Sequence, residues 1–207
     1  MSDLFDAERV YAARTPAELA AEYDRVAESY DQVLVDSHDW RMPEIVAGLA
    51  AWLLPRESTI LDAACGTGLI GVHLARYGFH AVDGLDLSAG MLDVARRKGV
   101  YRDLLCAALG EPLAYPSGSY DAVTVAGAFT PGHAPAASLA ELVRTLRPGG
   151  YAIFSLRDDV AQPDFQDELA RLSDLGVWRL VHRGAAFQSL PRAEPHVKNR
   201  LYVYQIR

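Results

Sequence analysis

The sequence predicts an α/β protein built on a mostly parallel sheet with helices on both faces. Three observations carry that expectation. Short apolar runs bounded by turn residues alternate with amphipathic stretches through the middle of the chain, and this alternation builds right-handed βαβ units. Gly66-Thr67-Gly68-Leu69-Ile70-Gly71 stands between one such run and one such stretch, with Asp86 20 residues beyond its first glycine. The last two apolar runs, Val177 to Val181 and Leu201 to Ile206, have no helix readable between them. They are expected to pair antiparallel.

The elements follow in order. Thr15-Pro16-Ala17-Glu18 is a capping box with proline at the first helical position, opening a helix to about Ala27. A second helix fits Pro43 to Leu54, with Ile45, Val46, Leu49, Trp52 and Leu53 on one stripe, and Pro55 stops it. Thr59 to Asp62 reads as a short buried strand. Leu69 to Tyr77 reads as a helix closed by Gly78. Ala81 to Leu85 is a second strand ending at Asp86, and Ser88 caps a helix from Ala89 to Lys98, closed by Gly99. Leu104 to Ala108 and Ala122 to Ala126 supply two more strands. Pro135 to Leu146 is a helix, ended by Arg147-Pro148-Gly149-Gly150 ahead of a strand from Tyr151 to Leu156. One more helix runs from Pro163 to about Leu175.

Length and composition narrow the function. The 207 residues, half of them hydrophobic, suffice for one domain with a real core. Residues 1–57 are expected to form an N-terminal helical lid and residues 58–207 the ligand-binding core. Lys and Arg number 20 against 27 Asp and Glu, a net charge of −7, which opposes nucleic-acid binding. Arg96-Arg97-Lys98 suits a helix C-terminus rather than a phosphate patch. Cys65 and Cys106 lack CxxC spacing, so neither a disulfide framework nor a thiolate zinc site is expected. A reducing, cytoplasmic setting fits. No apolar run reaches the roughly 18–20 residues of a membrane span, and Met1 to Arg9 is acidic and polar with no signal core.

A GxGxxG turn followed by an acid at the next strand tip is a geometry for an adenosine ligand at the carboxyl edge of a sheet. Asp86 would accept the ribose hydroxyl hydrogens. Two ligand classes fit, dinucleotides and S-adenosylmethionine. Asp62 separates them, because a carboxylate four residues before Gly66 opposes a pyrophosphate and favours an ammonium and a sulfonium.

Ile60-Leu61-Asp62-Ala63-Ala64-Cys65-Gly66-Thr67-Gly68 resembles motif I of class I S-adenosylmethionine-dependent methyltransferases. Gly84-Leu85-Asp86-Leu87-Ser88 with Met91 resembles their second-strand motif. Tyr120-Asp121-Ala122-Val123 and Leu146-Arg147-Pro148-Gly149-Gly150-Tyr151 resemble their fourth-strand start and the turn before the fifth strand. Lys98-Gly99-Val100-Tyr101, Cys106 to Glu111, and Ala128-Phe129 with His133 resemble the small methyltransferase-like proteins named for the Williams–Beuren chromosomal region. The resemblance implies a Rossmann-like, seven-stranded sheet of order 3-2-1-4-5-7-6 with strand 7 antiparallel. It implies S-adenosylmethionine as cofactor and S-adenosylhomocysteine as product. Asp62, Gly66, Thr67 and Gly68 would surround the methionine part; Asp86 would hold the ribose, with Leu87 and Met91 beside the adenosine. Adenine would lie near Leu109 and Gly110, where many relatives carry an acid in place of Leu109, leaving backbone groups or Glu111 to meet it. Gly127 would line the floor beneath the sulfonium.

Methyl transfer is an in-line displacement in which the protein aligns donor and acceptor and excludes water. A base is needed only for an acceptor that holds a proton. His133 is the candidate base for an O or N nucleophile of a small molecule. Tyr23 and Tyr30 are expected to close over the cofactor, with Tyr30 contacting the substrate. Phe129 and Trp40 are expected to face the acceptor, and Arg41 or Arg157 to hold an anionic group on it. The segment Ala126-Gly127-Ala128-Phe129 lacks the Asn-Pro-Pro-aromatic signature of amino-base methylation. Asp158-Asp159 lacks a third acid for Mg²⁺, so no metal is expected. A nicotinamide-dependent oxidoreductase and a non-catalytic S-adenosylmethionine-binding interaction protein are the competing readings. A monomer or homodimer is expected.

Overall fold

The computed structural model describes residues 7–207; the start of the Met1–Arg9 segment lies outside them. Helix α1 (Ala7–Ala12) leads to α2 (Pro16–Asp31), whose cap is the predicted box. Thr15 Oγ1 accepts from the Glu18 amide at 3.2 Å, while the Glu18 carboxylate accepts from the Arg14 amide at 2.8 Å. The helix runs four residues past the expected end and continues as a π-helical turn, Gln32–Ser37. Its acids explain the extension, because each finds a partner elsewhere. Asp24 accepts from Ser88 Oγ and the Gly90 amide, Glu28 pairs with Arg97, and Asp31 binds Lys98 and Thr67.

Helix α3 (Met42–Leu53) precedes β1 (Ile60–Ala63), α4 (Leu69–Arg76), β2 (Val82–Asp86), α5 (Ala89–Lys98), β3 (Asp103–Cys106) and β4 (Tyr120–Val125). Then come α6 (Ser138–Thr145), β5 (Leu146–Arg157), α7 (Pro163–Asp174), β6 (Trp178–Arg183), β7 (Phe187–Gln188) and β8 (Lys198–Ile206). Ser88 caps α5 as expected, accepting from the Met91 amide at 3.0 Å. Helix α6 starts at Ser138 rather than Pro135. Strand β5 begins earlier than expected: the Arg-Pro-Gly-Gly segment lies within it, where the pairing with β4 shifts register between Tyr120 and Ala122.

The sheet order is β3-β2-β1-β4-β5-β8-β6, with β7 pairing β8 off the main path. The pairs from β3 through β5 are parallel, and β8 is antiparallel to β5, β6 and β7. The antiparallel strand therefore stands between the fifth and sixth, as expected, with one short strand more than the seven predicted. Period-two alternation splits the core into two layers. Ile60, Ile153 and Val203 face α3 and α4, joining Met42, Val46, Ile70 and Leu74. Leu61, Phe154 and Tyr202 face the other layer, where Leu139 and Leu142 of α6 and Phe165 and Leu169 of α7 bury their apolar sides. Val26 and Ala27 of α2 pack on Met91 of α5. Within the expected lid, α3 thus shares the core of the sheet, whereas α2 lies across the carboxyl ends of β1 and β2.

Candidate active site

The chain leaves β1 through Ala64, whose φ of 57° is a left-handed conformation in a residue with a Cβ. The Cys65 amide donates to the Leu85 carbonyl at 2.9 Å, fastening this turn to β2. Gly66 follows with φ 54°, and a Cβ there would meet nothing within 4 Å. Its amide donates to Asp86 Oδ2 at 2.8 Å, and Asp86 Oδ1 accepts from the Ser88 amide at 2.9 Å. One carboxylate therefore joins the turn after β1 to the start of α5. Burial pushes the Asp86 carboxyl up to about 6; these amide donors oppose the rise, and the nearby Asp24 adds to it.

These residues bound a cavity of about 310 Å³ at the carboxyl edge of the sheet. Of the predicted cofactor residues, Gly66, Thr67, Asp86, Leu87 and Met91 line it on one side. Leu109, Gly110 and Gly127 line it on another, and Tyr23, Tyr30 and His133 close it. Leu19 and the N-terminal end of α2, Thr15 and Pro16, also line it; the sequence marked that end only as a cap.

Three predicted residues, Asp62, Gly68 and Arg41, line neither this cavity nor its neighbour, and two expected at the acceptor, Phe129 and Arg157, line an adjoining one. Asp62 is fully buried and does not line the cavity. Tyr101 donates its hydroxyl to Asp62 Oδ2 at 2.6 Å, and Thr124 Oγ1 donates to Oδ1 at 2.9 Å. Burial pushes this carboxyl up to about 7, against the pull of those two donors. Asp62 thus organises the floor under the loop rather than presenting a bare charge to a ligand. Gly68 faces Tyr101 rather than the cavity: a Cβ on it would lie 2.8 Å from the ring, and one on Gly71 would lie 2.4 Å away. The Gly71 amide also donates to the Tyr101 hydroxyl at 3.2 Å. The second and third glycines of the fingerprint are therefore fixed by an aromatic wedge, not by close approach to a diphosphate. Arg41 is exposed, off the cavity and paired with Asp39 at 2.6 Å. Phe129 and Arg157 line a second, adjoining chamber of about 90 Å³. Arg157 is spent on Asp159, with contacts of 2.8 and 2.5 Å.

The two chambers share Tyr23, Tyr30, Trp40, Gly127 and His133. His133 Nδ1 lies 3.3 Å from the Pro131 carbonyl, which can only accept. That places the ring proton on Nδ1 and the lone pair on Nε2, where the Tyr23 hydroxyl donates at 2.8 Å. Burial lowers the His133 pKa, opposed by the Pro131 carbonyl. The imidazole is accordingly neutral at neutral pH. Tyr101 and Thr124 were missed as site residues, because only the fold brings residues 101 and 124 beneath residue 62. Among the described residues no cluster of three or more His, Cys, Asp or Glu is arranged to hold a metal ion, and no helix is long and apolar enough to cross a membrane.

A mostly parallel sheet, a glycine turn at its carboxyl edge and an acid at the next strand tip define an open α/β fold with a nucleoside-binding edge. A family model described as "Methyltransferase domain" matches residues 61–154. Human methyltransferase-like protein 27 is 36% identical over 181 residues, covering 82% of this chain and 73% of that protein. Demethylmenaquinone methyltransferase of Clavibacter sepedonicus is 35% identical over 149 residues, covering 69% of this chain and 59% of its own. In structure, the 1,6-didemethyltoxoflavin N1-methyltransferase of Burkholderia thailandensis, solved with bound 1,6-didemethyltoxoflavin and S-adenosylhomocysteine, superposes with a TM-score of 0.66. It is 17% identical and the match covers 94% of this chain and 91% of that one. The chain belongs to the class I S-adenosylmethionine-dependent methyltransferases. Its cofactor is S-adenosylmethionine, and the open space over Gly66, beside the Asp86 carboxylate, fits it. The nicotinamide reading falls with this assignment.

Proposed function

We propose that this enzyme methylates an O or N nucleophile of a small molecule, with His133 as general base. S-adenosylmethionine supplies an electrophilic methyl group, whose bond to sulfur breaks as its bond to the acceptor forms. Asp86 holds the ribose, Leu87 and Met91 flank the adenosine, and Leu109 and Gly110 offer backbone groups to adenine. Gly66 and Thr67 hold the methionine part, and Gly127 floors the space below the sulfonium. Tyr23, Tyr30 and Trp40 exclude water where the chambers meet. The lid comprises α1, α2 and the π-helical turn, since α3 shares the sheet's core. A cytoplasmic monomer or homodimer acting without nucleic acid fits the acidic surface.

The observation that carries this reading is the neutral His133 ring, its Nε2 already accepting a hydrogen bond at the junction of the chambers. It also favours catalysis over a purely cofactor-binding protein. The test is His133→Asn. Turnover with an acceptor found by labelled-methyl screening of metabolite extracts is expected to fall by roughly 10²–10⁴-fold, the usual worth of a positioned base. S-adenosylhomocysteine affinity, measured by calorimetry, should hold. An unaltered rate removes His133 from the role of base, and absence of transfer to any extract by wild-type protein removes the small-molecule reading.

A further inference from the structure

We propose that the methyl acceptor is a neutral, single-ring hydroxyarene seated in the second chamber, and that Tyr23 relays its hydroxyl proton to His133. The proposal rests on the function proposed above and names its substrate class.

Size comes first. A cavity of about 150 Å³ takes one benzene. A chamber of about 90 Å³ is smaller than that, so it seats a single ring only with part of the ring projecting through the shared wall into the cofactor cavity. Shape comes next. Tyr23 and Tyr30 meet edge to face with centroids 6.2 Å apart, and Tyr30 meets Trp40 in the same way at 6.3 Å. Aromatic rings prefer such edge-to-face and offset partners, so this wall favours a planar ring over an aliphatic group of equal area. Leu34, Met42 and Val197 add apolar contacts, facing a polar side that includes Ser155, Ser189 and Asn199.

Charge then selects among ring compounds. Arg157, the cation on this wall, is committed to Asp159, and Glu194 on the same wall repels a carboxylate. The Asn199 amide is held by Ser189 Oγ at 2.7 Å. An ammonium, though drawn by Glu194, would lose its hydration on entering and has no lone pair to take a methyl group, whereas a neutral phenol has no charge to desolvate. Thr130 lines the chamber and is 9% exposed, and its buried hydroxyl has no hydrogen-bond partner among the described residues.

The proton path follows from the tautomer. Tyr23 gives its hydrogen to His133 Nε2, and its oxygen has two lone pairs with which to accept from an incoming hydroxyl. As the acceptor O–H bond breaks, that proton joins the Tyr23 oxygen while the Tyr23 proton passes to Nε2. Tyr23 ends neutral and His133 ends as imidazolium. The methyl group takes the proton's place on the acceptor oxygen. An acceptor phenol and the Tyr23 phenol have similar intrinsic acidity, near 10, so the first transfer is close to balanced.

The test measures binding before turnover. Protein saturated with S-adenosylhomocysteine is titrated calorimetrically with 4-methylphenol, benzoate, benzylamine and cyclohexanol. We expect 4-methylphenol to bind at least tenfold more tightly than the other three, and Trp40→Leu to remove most of that preference. Tyr23→Phe keeps the ring. It is expected to bind 4-methylphenol within about threefold of wild type while transferring methyl to it roughly 100-fold more slowly, with far-ultraviolet circular dichroism and the thermal melting point as the check on folding. Preference for benzoate, benzylamine or cyclohexanol, or binding of none, overturns the acceptor class. An unchanged rate in Tyr23→Phe overturns the relay. Labelled methyl reaching a different acceptor class would leave the methyltransferase reading intact.

Discussion

At the scale of the residue, Asp86 joins two duties: it fastens the turn at Gly66 to the start of α5, and it lines the cofactor cavity. In its proposed ribose role it must be ionised, since only the carboxylate accepts from both hydroxyls. Its carboxyl, raised to about 6, is protonated below that pH. S-adenosylhomocysteine affinity is therefore expected to be flat above pH 7 and to weaken by up to about tenfold per unit below pH 6. Calorimetry from pH 5 to pH 8 checks this. Asp86→Ala is expected to cost on the order of 1–3 kcal/mol of binding and to abolish the pH dependence. Asp62 teaches a different lesson. The sequence placed an acid at the right position, but not its surroundings. Both oxygens are taken by Tyr101 and Thr124, partners 39 and 62 residues away in sequence.

At the scale of the element, local signals were readable and tertiary ones were not. The capping box at Thr15, the Ser88 cap and the left-handed Gly99 each mark helix ends through chemistry confined to a few neighbours, and the structure keeps all three. The end of α2 was misread because Asp24, Glu28 and Asp31 are stabilised by residues of α5 and the motif I turn, which no local window contains. The same holds for the glycines. Their spacing was legible, but their reason was not, because Tyr101 arrives from beyond α5. Two substitutions test this level. Thr15→Ala is expected to lower stability by about 1 kcal/mol, the usual worth of an N-cap, read by urea denaturation. Gly71→Ala, which would drive a Cβ to 2.4 Å from Tyr101, is expected to cost about 1–3 kcal/mol, and Tyr101→Leu should recover part of the loss.

At the scale of the whole molecule, the parallel sheet and the antiparallel pairing at its end were legible from helix alternation and its absence after Val177, whereas the strand order followed from the resemblance to class I methyltransferases. The short β7 and the early start of β5 were not, since each depends on pairing across the sheet. Buried acids also affect the folded state as a whole. Asp62 has a folded value of about 7, above the ordinary carboxylate value near 3.9. Its ionisation therefore opposes folding: its contribution is greatest below about pH 4, declines as pH rises toward 7 and levels off beyond. The variant Asp62→Asn cannot ionise, so it is expected to gain about 2–3 kcal/mol on wild type between pH 5 and pH 8. Paired denaturation curves at the two pH values measure this; parallel behaviour of the two proteins would show that Asp62 is already ionised in the fold.

Tyr23, Tyr30 and Trp40 stand on the partition between the two chambers. A lineage that altered them to accommodate a new compound would disturb its hold on the methyl donor in the same stroke. Diversification is therefore expected to proceed at Leu190 or Val197, which line the second chamber and not the donor's cavity.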